Sequence, residues 1–403
     1  MDSVDAYLAE ILAAIRPLAP RELSLDDADG GMLAEDIAAQ WPLPPFDNSS
    51  MDGYAVRAAD IAAATAGAPV TLPVTGEVTA GDTRELELVP GSCLRIMTGA
   101  PVPDGADAVV PVELTDGGTA RVAISQAVAA GASIRRAGDD AAPGDALLAA
   151  GSRLGPVAIG LLAAAGRDSV LARPWPRVAV FSTGNELAAP GTPITRGRIW
   201  ESNSYMLASA ARQAGADACR QPSVPDDVSQ VLAVIEDAAG RADLLVTSGG
   251  VSMGGEHDVV KAALQKLGTV RFRKVAMQPG MPQGFGVIGA ASTPIMTLPG
   301  NPVSAFVSFQ LFVRPALRAL QGTADGRLRT ARAVLTASLR SPRDKRSFLR
   351  GVLADDGTQI TPLSGQASHQ LAALARANAL IIVPEQVISM AAGDVAEVIC
   401  LDD

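Results

Sequence analysis

Four short stretches in the middle third of the chain bring glycine, carboxylate, hydroxyl and proline residues together in a way that suits a phosphorylated ligand. They are Ser182-Thr183-Gly184-Asn185-Glu186, Val224-Pro225-Asp226-Asp227, the run Ser248-Gly249-Gly250-Val251-Ser252-Met253-Gly254-Gly255-Glu256-His257-Asp258, and Pro299-Gly300-Asn301-Pro302. Glycine lets backbone N–H groups approach a phosphate closely, and a helix starting behind such a loop adds a favourable dipole. Glu186, Asp226 and Asp258 are the oxygen ligands that a magnesium ion bridging the phosphate would need. Ser182, Thr183, Gly184, Gly249, Gly250, Ser252, Pro299, Gly300, Asn301 and Pro302 are then candidate ligand contacts. Each loop also has a purely local explanation. Asp226 or Asp227 can cap a helix starting at Val228, with Gln230 completing a capping box to Asp227, Asp258 can cap the following helix, and Asn301-Pro302 is a good cap and first turn. Capping is the commoner use of any one such residue, whereas four such loops on one edge favour a site.

Other chemistries are poorly represented. His257 and His369 are the only histidines, and no nucleophile lies near either in a Ser-His-Asp or Cys-His pattern. There is no complete Walker loop and no Gly-x-Gly-x-x-Gly fingerprint, which disfavours a P-loop kinase or a nicotinamide dehydrogenase. Cys93, Cys219 and Cys400 are widely separated and unpaired in spacing, so they read as reduced, partly buried fillers and any bound metal as a hard cation. With a formal net charge of −10, nucleic acid is not an expected partner. Anions must instead find local cations, and these cluster at Arg135-Arg136, Arg271-Phe272-Arg273-Lys274 and Lys345-Arg346. The first cluster, beside Asp139-Asp140, reads more readily as surface ion pairing than as a binding site.

The elements that must position these residues follow from periodicity. Between Arg177 and about Leu320, apolar strands (Val178 to Phe181, Leu244 to Thr247, Ile295 to Leu298) alternate with helices expected at Tyr205 to Ala214, Val228 to Ala239 and Val259 to Leu267. That alternation predicts a parallel α/β sheet, in which ligands bind beyond the carboxyl ends of the strands. The four loops occupy that edge. An N-terminal helix is expected over residues 5–16, and an apolar helix from Pro156 to Ala165 closed by Gly166. Short alternating strands such as Val70 to Val74 and Cys93 to Met97 give a β-rich region, and those from Ala333 to Cys400 a barrel-like one.

The expected architecture is therefore α/β and β multidomain. A central three-layer α/β domain (175–322) is accompanied by a linker domain (1–45 and 138–174), an inserted β-rich domain (46–137) and a C-terminal β-barrel-like domain (323–403). The 403 residues, 48% hydrophobic but only 3% aromatic, fill these cores mainly with Ala, Val, Leu and Ile. An acidic start and no apolar run of membrane-spanning length make a cytoplasmic protein without membrane contact the expectation.

Taken in order, these segments resemble the MoeA family, which includes the E domain of gephyrin. The carrying motifs are Phe46-Asp47-Asn48-Ser49-Ser50-Met51-Asp52-Gly53-Tyr54-Ala55, Ile96-Met97-Thr98-Gly99-Ala100-Pro101, Phe181-Ser182-Thr183-Gly184-Asn185-Glu186-Leu187, Ser248-Gly249-Gly250-Val251-Ser252 and Leu298-Pro299-Gly300-Asn301-Pro302-Val303-Ser304. Each is moderately specific, and the ordered set, spanning nearly the whole chain, is highly specific. The resemblance implies a molybdopterin molybdenumtransferase that converts adenylyl-molybdopterin and molybdate into molybdenum cofactor and AMP with a divalent cation, Mg2+. It implies an elongated homodimer with a site formed across the subunits, and a molybdopterin adenylyltransferase and molybdoenzyme apoproteins as further partners. It assigns Asp52, Thr98, Glu186, Asp226, Asp258 and Lys274 to catalysis, Glu186, Asp226 and Asp258 to the metal, and Arg135, Asp140, Pro299, Pro302, Arg350 and Ser368 to ligand binding.

The chain departs from the family pattern at Gln278-Pro279-Gly280-Met281-Pro282, where many members read Lys-Pro-Gly-Lys-Pro. Two cations are thereby absent, and a close ion pair is worth up to roughly 4 kcal/mol at an effective dielectric of 20. Arg271, Arg273 and Lys274 are the neighbouring candidates to compensate. Gly254-Gly255 makes the stretch before Glu256 one residue longer than usual, and Ala367 replaces a common glycine. Two alternatives stand beside the enzyme reading: a catalytically weakened pterin-binding or scaffold paralogue, and a molybdopterin adenylyltransferase.

Overall fold

The computed structural model describes residues 1–250, 259–267, 270–323 and 329–401. The chain forms two compact units, one of Met1–Ala34 with Leu171–Asp403 and one of Glu35–Val170. The first unit is built on a six-stranded sheet. Its strands are β1 (Arg177–Ser182), β2 (Asp217–Arg220), β3 (Leu244–Ser248), β4 (Arg271–Lys274), β5 (Pro282–Ile288) and β6 (Thr293–Leu298), in the spatial order β2-β1-β3-β6-β5-β4. Strands β2, β1, β3 and β6 are mutually parallel.

The expected parallel sheet is present over those four strands, and its edge is mixed, because β5 runs antiparallel to both β6 and β4. The connection from β5 to β6 is a short turn at Gly289 and Ser292, both at positive φ, and so short a link can join only antiparallel neighbours. Reversing twice restores β4 to the direction of β6, so Lys274 still ends on the carboxyl edge.

Alternation along the strands sends side chains into two cores. Val178, Val180, Val246, Met296 and Leu298 face helix α1 (Val4–Ala14), α2 (Asn203–Gln213) and a long helix α5 (Pro302–Leu320). Ala179, Phe181, Leu245 and Ile295 face α3 (Val228–Ala239) and α4 (Val259–Leu267). Three layers result. The first helix, expected at 5–16, is capped by the Ser3 hydroxyl and stays with this sheet, where Tyr7 meets Phe312 edge-on at 4.9 Å. Acids on it and just before it reach outward: Asp2 and Glu10 pair with Arg273, and Asp5 pairs with Arg346.

Helix α5 was recognisable only at its start, Asn301-Pro302. It widens into a π-helical turn over Phe309–Val313, just before Pro315. Proline has no N–H to return to the Leu311 carbonyl and its ring crowds that oxygen, so a wider turn is the natural accommodation. Among the described residues only this helix has the length and apolarity of a membrane span, and 83% of that window is buried inside the protein, as in a core helix.

After Gly322 five strands close on themselves. Arg346–Leu353 pairs with Gln359–Pro362 and with Ala379–Val383, Val395–Cys400 joins Ala379–Val383 to Thr330–Leu335, and Thr330–Leu335 returns to Gln359–Pro362. Leu335, Leu349, Ile360, Ile381 and Val398 fill this barrel. The second unit carries a five-stranded sheet in which Gly53–Val56 lies between Ala108–Pro111 and Cys93–Ile96. A side chain at Gly53 would meet the Val110 carbonyl at 2.0 Å, so glycine there lets the loop carrying Asp52 enter the sheet.

Within the α/β sheet, Gly284 on β5 lies under Thr297 of β6, whose Oγ1 would stand 2.0 Å from an added Cβ. Overpacking of a filled core costs roughly 1–3 kcal/mol. Gly284→Ala is expected to lower the unfolding free energy obtained from urea denaturation by that amount, and adding Thr297→Ala to recover most of the loss. A silent Gly284→Ala would show that the strands part without cost.

Candidate functional site

The register of the parallel strands sets the site. Ser182 pairs with Ser248, and Ser248 with Leu298, so the loops that follow all leave from one edge. Gly249 adopts φ +94°, and a side chain there would strike the Thr183 carbonyl at 2.7 Å, so glycine is required where the β1 and β3 loops touch.

The loop that carries Glu186 is joined to Asp226 through Asn185. Asn185 N donates to Asp226 Oδ2 at 3.0 Å, Asp226 N returns the bond to Asn185 Oδ1 at 3.1 Å, and a bridge between Thr183 and Val224 extends the pairing. The Glu186 carboxylate lies over Gly184, close enough that a Cβ there would meet its oxygens at 2.4–2.6 Å. The capping alternative is resolved residue by residue. Asp227 Oδ1 accepts the Gln230 N–H at 2.9 Å and so caps α3, while Asp226 is turned to the β1 loop. Asn301 precedes Pro302 at the start of α5 but makes no side-chain capping bond, which leaves its amide unengaged in that role. Asp258 and Ser252 lie outside the described residues.

A second group gathers around the amino end of α5. Val303 N donates to the Ser368 carbonyl at 3.0 Å, which sets Ser368 beside Pro302. Arg350 is 1% exposed, yet among the described residues it faces no carboxylate. Its Nη2 donates to the Gly365 carbonyl, its Nε has no partner, and burial pushes the guanidinium below its ordinary value. A buried cation left uncompensated is costly, and an anion is its natural complement. Lys274 is exposed at the end of β4.

The arginine clusters flagged by sequence divide on inspection. Arg273 is held by Asp2 and Glu10, so it does not replace the absent lysines, and Arg346 is shared by Asp5 and Glu385. Arg136 binds Asp47 at 2.6 Å, in keeping with a surface ion pair. Arg135 and Lys274 form no ion pair among the described residues. Gln278 is exposed, and Met281 is half-buried, its carbonyl accepting Val275 N at 2.8 Å.

In the second unit Asp52 and Thr98 meet directly: Asp52 Oδ1 accepts both the Thr98 hydroxyl and its N–H at 2.7 Å. These bonds hold the carboxyl below its ordinary value. Arg135 is carried by the short strand Ile134–Arg135, paired to Asn48–Ser49 in the same loop system. Asp140 is exposed and donates its backbone N–H to the Leu43 carbonyl.

Sequence reasoning missed Glu201, Asn203 and Ser204. Asn203 Nδ2 donates to Ser248 Oγ at 2.8 Å and to the Gly300 carbonyl at 2.6 Å, and Ser248 Oγ donates onward to the Pro299 carbonyl at 3.2 Å. One amide thus stitches the β3 and β6 loops. The signal available was a polar Glu-Ser-Asn-Ser run opening an amphipathic helix, which reads as an ordinary helix start.

The residues fit a hard cation only in part. Among the described residues no three His, Cys, Asp or Glu side chains are gathered closely enough to hold a metal. Glu186 and Asp226 supply two carboxylates, and magnesium characteristically takes one or two from protein and the rest from phosphate and water. A groove of about 1090 Å³ lies elsewhere, at the amino ends of β1 and β2. Its lining acids, Glu22, Asp26, Asp27, Asp29 and Asp217 among them, outnumber its arginines, which opposes an anionic ligand.

Comparison with known proteins matches three successive segments of the chain. Residues 2–166 match the MoeA N-terminal region (domain I and II), 179–319 a probable molybdopterin binding domain, and 332–401 the MoeA C-terminal region (domain IV). Molybdopterin molybdenumtransferase 2 of Mycobacterium tuberculosis is 49% identical, covering 96% of this chain and 95% of its own. Molybdopterin molybdenumtransferase of Bacillus subtilis is 37% identical, covering 90% and 85%. A crystal structure of the molybdopterin biosynthesis MoeA protein from Pyrococcus horikoshii superimposes with a TM-score of 0.78 at 31% identity, covering 100% of this chain and 99% of that one.

Because its carboxyl is depressed, the Asp52–Thr98 contact contributes fully above the ordinary aspartate value near 3.9 and is lost as pH falls through the lower folded value. Thr98→Val is expected to move the Asp52 titration upward, toward that ordinary value, in carbonyl-detected NMR. An unchanged midpoint would mean that the two bonds do not form in solution.

Proposed function

The chain belongs to the MoeA family of molybdopterin molybdenumtransferases, and from that membership we propose that it transfers molybdate onto adenylylated molybdopterin with release of AMP. The observation that carries the reading is the convergence of the Glu186 loop, tied to Asp226 through Asn185, and the Asn203-stitched glycine loops on one sheet edge. The N- and C-terminal matches favour this over an adenylyltransferase, and nothing in the geometry specifically favours a scaffold.

In this reading the backbone N–H of Gly250 approaches phosphate oxygens, Thr183 offers its buried and unpartnered hydroxyl, and Lys274 supplies a mobile positive charge. Arg350, with Ser368 and Asn301 at the amino end of α5, is suited to an oxyanion such as molybdate, its buried guanidinium gaining the counter-charge it lacks. Glu186 and Asp226 would hold Mg2+, with Asp258 as the third carboxylate the family assigns, and the cation when bound neutralises phosphate charge. Cleaving a phosphoanhydride depends mostly on positioning and charge neutralisation, so a set of fixed donors without a nucleophilic side chain is chemically sufficient.

We also assign the chain to a homodimer. Helix Pro156–Ala164 is apolar all round yet buries only Leu162, leaving Val157 86% exposed. A helix of that composition ordinarily lies inside a core or an interface.

Two experiments test these readings. Protein given adenylyl-molybdopterin, molybdate and Mg2+ should release AMP; Asp226→Asn and Arg350→Met should each reduce the rate by roughly a hundredfold, and chelation should abolish it until Mg2+ returns. No AMP under any condition would refute the activity. In light-scattering chromatography the chain should run as a dimer and Val157→Asp as a monomer, whereas a monomeric wild type would remove the homodimer.

A further inference from the structure

Glu201 is 5% exposed and has no lysine or arginine partner among the described residues. Its carboxylate accepts only from neutral donors. Oε1 takes the Ser182 hydroxyl at 2.7 Å and the Ser204 N–H at 2.7 Å, and Oε2 takes the Ser204 hydroxyl at 2.6 Å. Burying a carboxylate carries a large desolvation cost, offset here by three short bonds and by the amino end of α2. Ser202, the formal cap of α2, makes no side-chain capping bond, so Glu201 does that work from one position earlier.

We infer that Glu201 is a positioning residue for the transferase site. Its carboxylate binds the end of β1 through Ser182 and the first turn of α2 through Ser204, and thereby fixes Asn203, which lies between them. Both amide protons of Asn203 are then aimed at the β3 and β6 loops, at Ser248 Oγ and the Gly300 carbonyl. Three loop origins are locked by one buried chain of bonds before any ligand arrives. Ser182 and Ser248 are engaged in this chain, their protons going to Glu201 and the Pro299 carbonyl. The Thr183 hydroxyl, 4% exposed and unpartnered, is left unengaged beside Gly249. The sharper assignment is that Ser182 acts by holding the loop and Thr183 by touching the ligand.

The inference rests on the sheet edge being the substrate site, so Asp226→Asn is measured in parallel. Glu201→Met keeps length and removes every acceptor, whereas Glu201→Gln keeps the shared oxygen and lets the Ser204 hydroxyl rotate to accept. For molybdate-dependent AMP release, Glu201→Met is expected to raise KM for adenylyl-molybdopterin roughly ten- to a hundredfold, as small misplacements of fixed groups do. Glu201→Gln should stay close to wild type. Asn203→Ala, which leaves the carboxylate in place and serves if Glu201→Met fails to fold, should reproduce the rise in KM, and the double variant should be no worse than either alone. A wild-type KM in both Glu201→Met and Asn203→Ala beside a damaged Asp226→Asn overturns this inference alone, and silence of all three overturns the site as well. Equal damage in Glu201→Gln and Glu201→Met, or additive losses in the double variant, also overturns it, because charge or general stability would then be responsible.

Discussion

Parallel pairing of β1, β3 and β6 is the constraint on which the rest depends. Because Ser182, Ser248 and Leu298 stand in register, three chain segments leave the sheet at one level and must run side by side before turning into helices. Polar backbone at such an edge needs partners once it is covered. The protein supplies them internally: Thr183 N donates to the Ser248 carbonyl at 3.1 Å and Gly249 N to the Leu298 carbonyl at 3.2 Å, while Glu201 and Asn203 satisfy the hydroxyls and a carbonyl. Fully satisfied, such a network holds the glycine-bearing turns in one arrangement.

Charge is organised around the same need. A chain of net charge −10 that handles anionic molecules cannot rely on its overall field, and most arginines within reach are neutralised by nearby acids. Arg350 differs: among the described residues it is buried and forms no ion pair. It sits on a barrel strand whose preceding same-face residue, Phe348, joins the core shared with the α/β sheet, so the barrel presents a buried guanidinium toward that side. A backbone laced by Gln366 holds the strand there, with Arg350 N donating to Gln366 Oε1 at 3.0 Å and Gln366 Nε2 returning to the Arg350 carbonyl at 2.9 Å.

The acids on α1 and just before it serve the same end indirectly. By engaging Arg273 and Arg346, Asp2, Glu10 and Asp5 fasten the first helix across β4 and the barrel, the elements that carry Lys274 and Arg350. Partly exposed pairs of this kind contribute modestly to stability, so their value here lies in orientation.

The sequence by itself determined the family, the strand and helix alternation, and the placement of the glycine and carboxylate loops on one edge, because hydrophobic period and turn chemistry are local properties. Val228–Ala239, Val259–Leu267, Ala379–Val383 and Val395–Cys400 form where the pattern puts them. Only the tertiary structure decided which charges remain free, that Asp226 faces the β1 loop while Asp227 caps a helix, that β5 reverses, and that Glu201 and Asn203 tie the loops together. Those outcomes depend on partners as far away in the chain as Asn203 is from Gly300, or Arg346 from Asp5. A residue's type announces what it can bond to, but which bond it makes is set by what the fold brings within three ångströms.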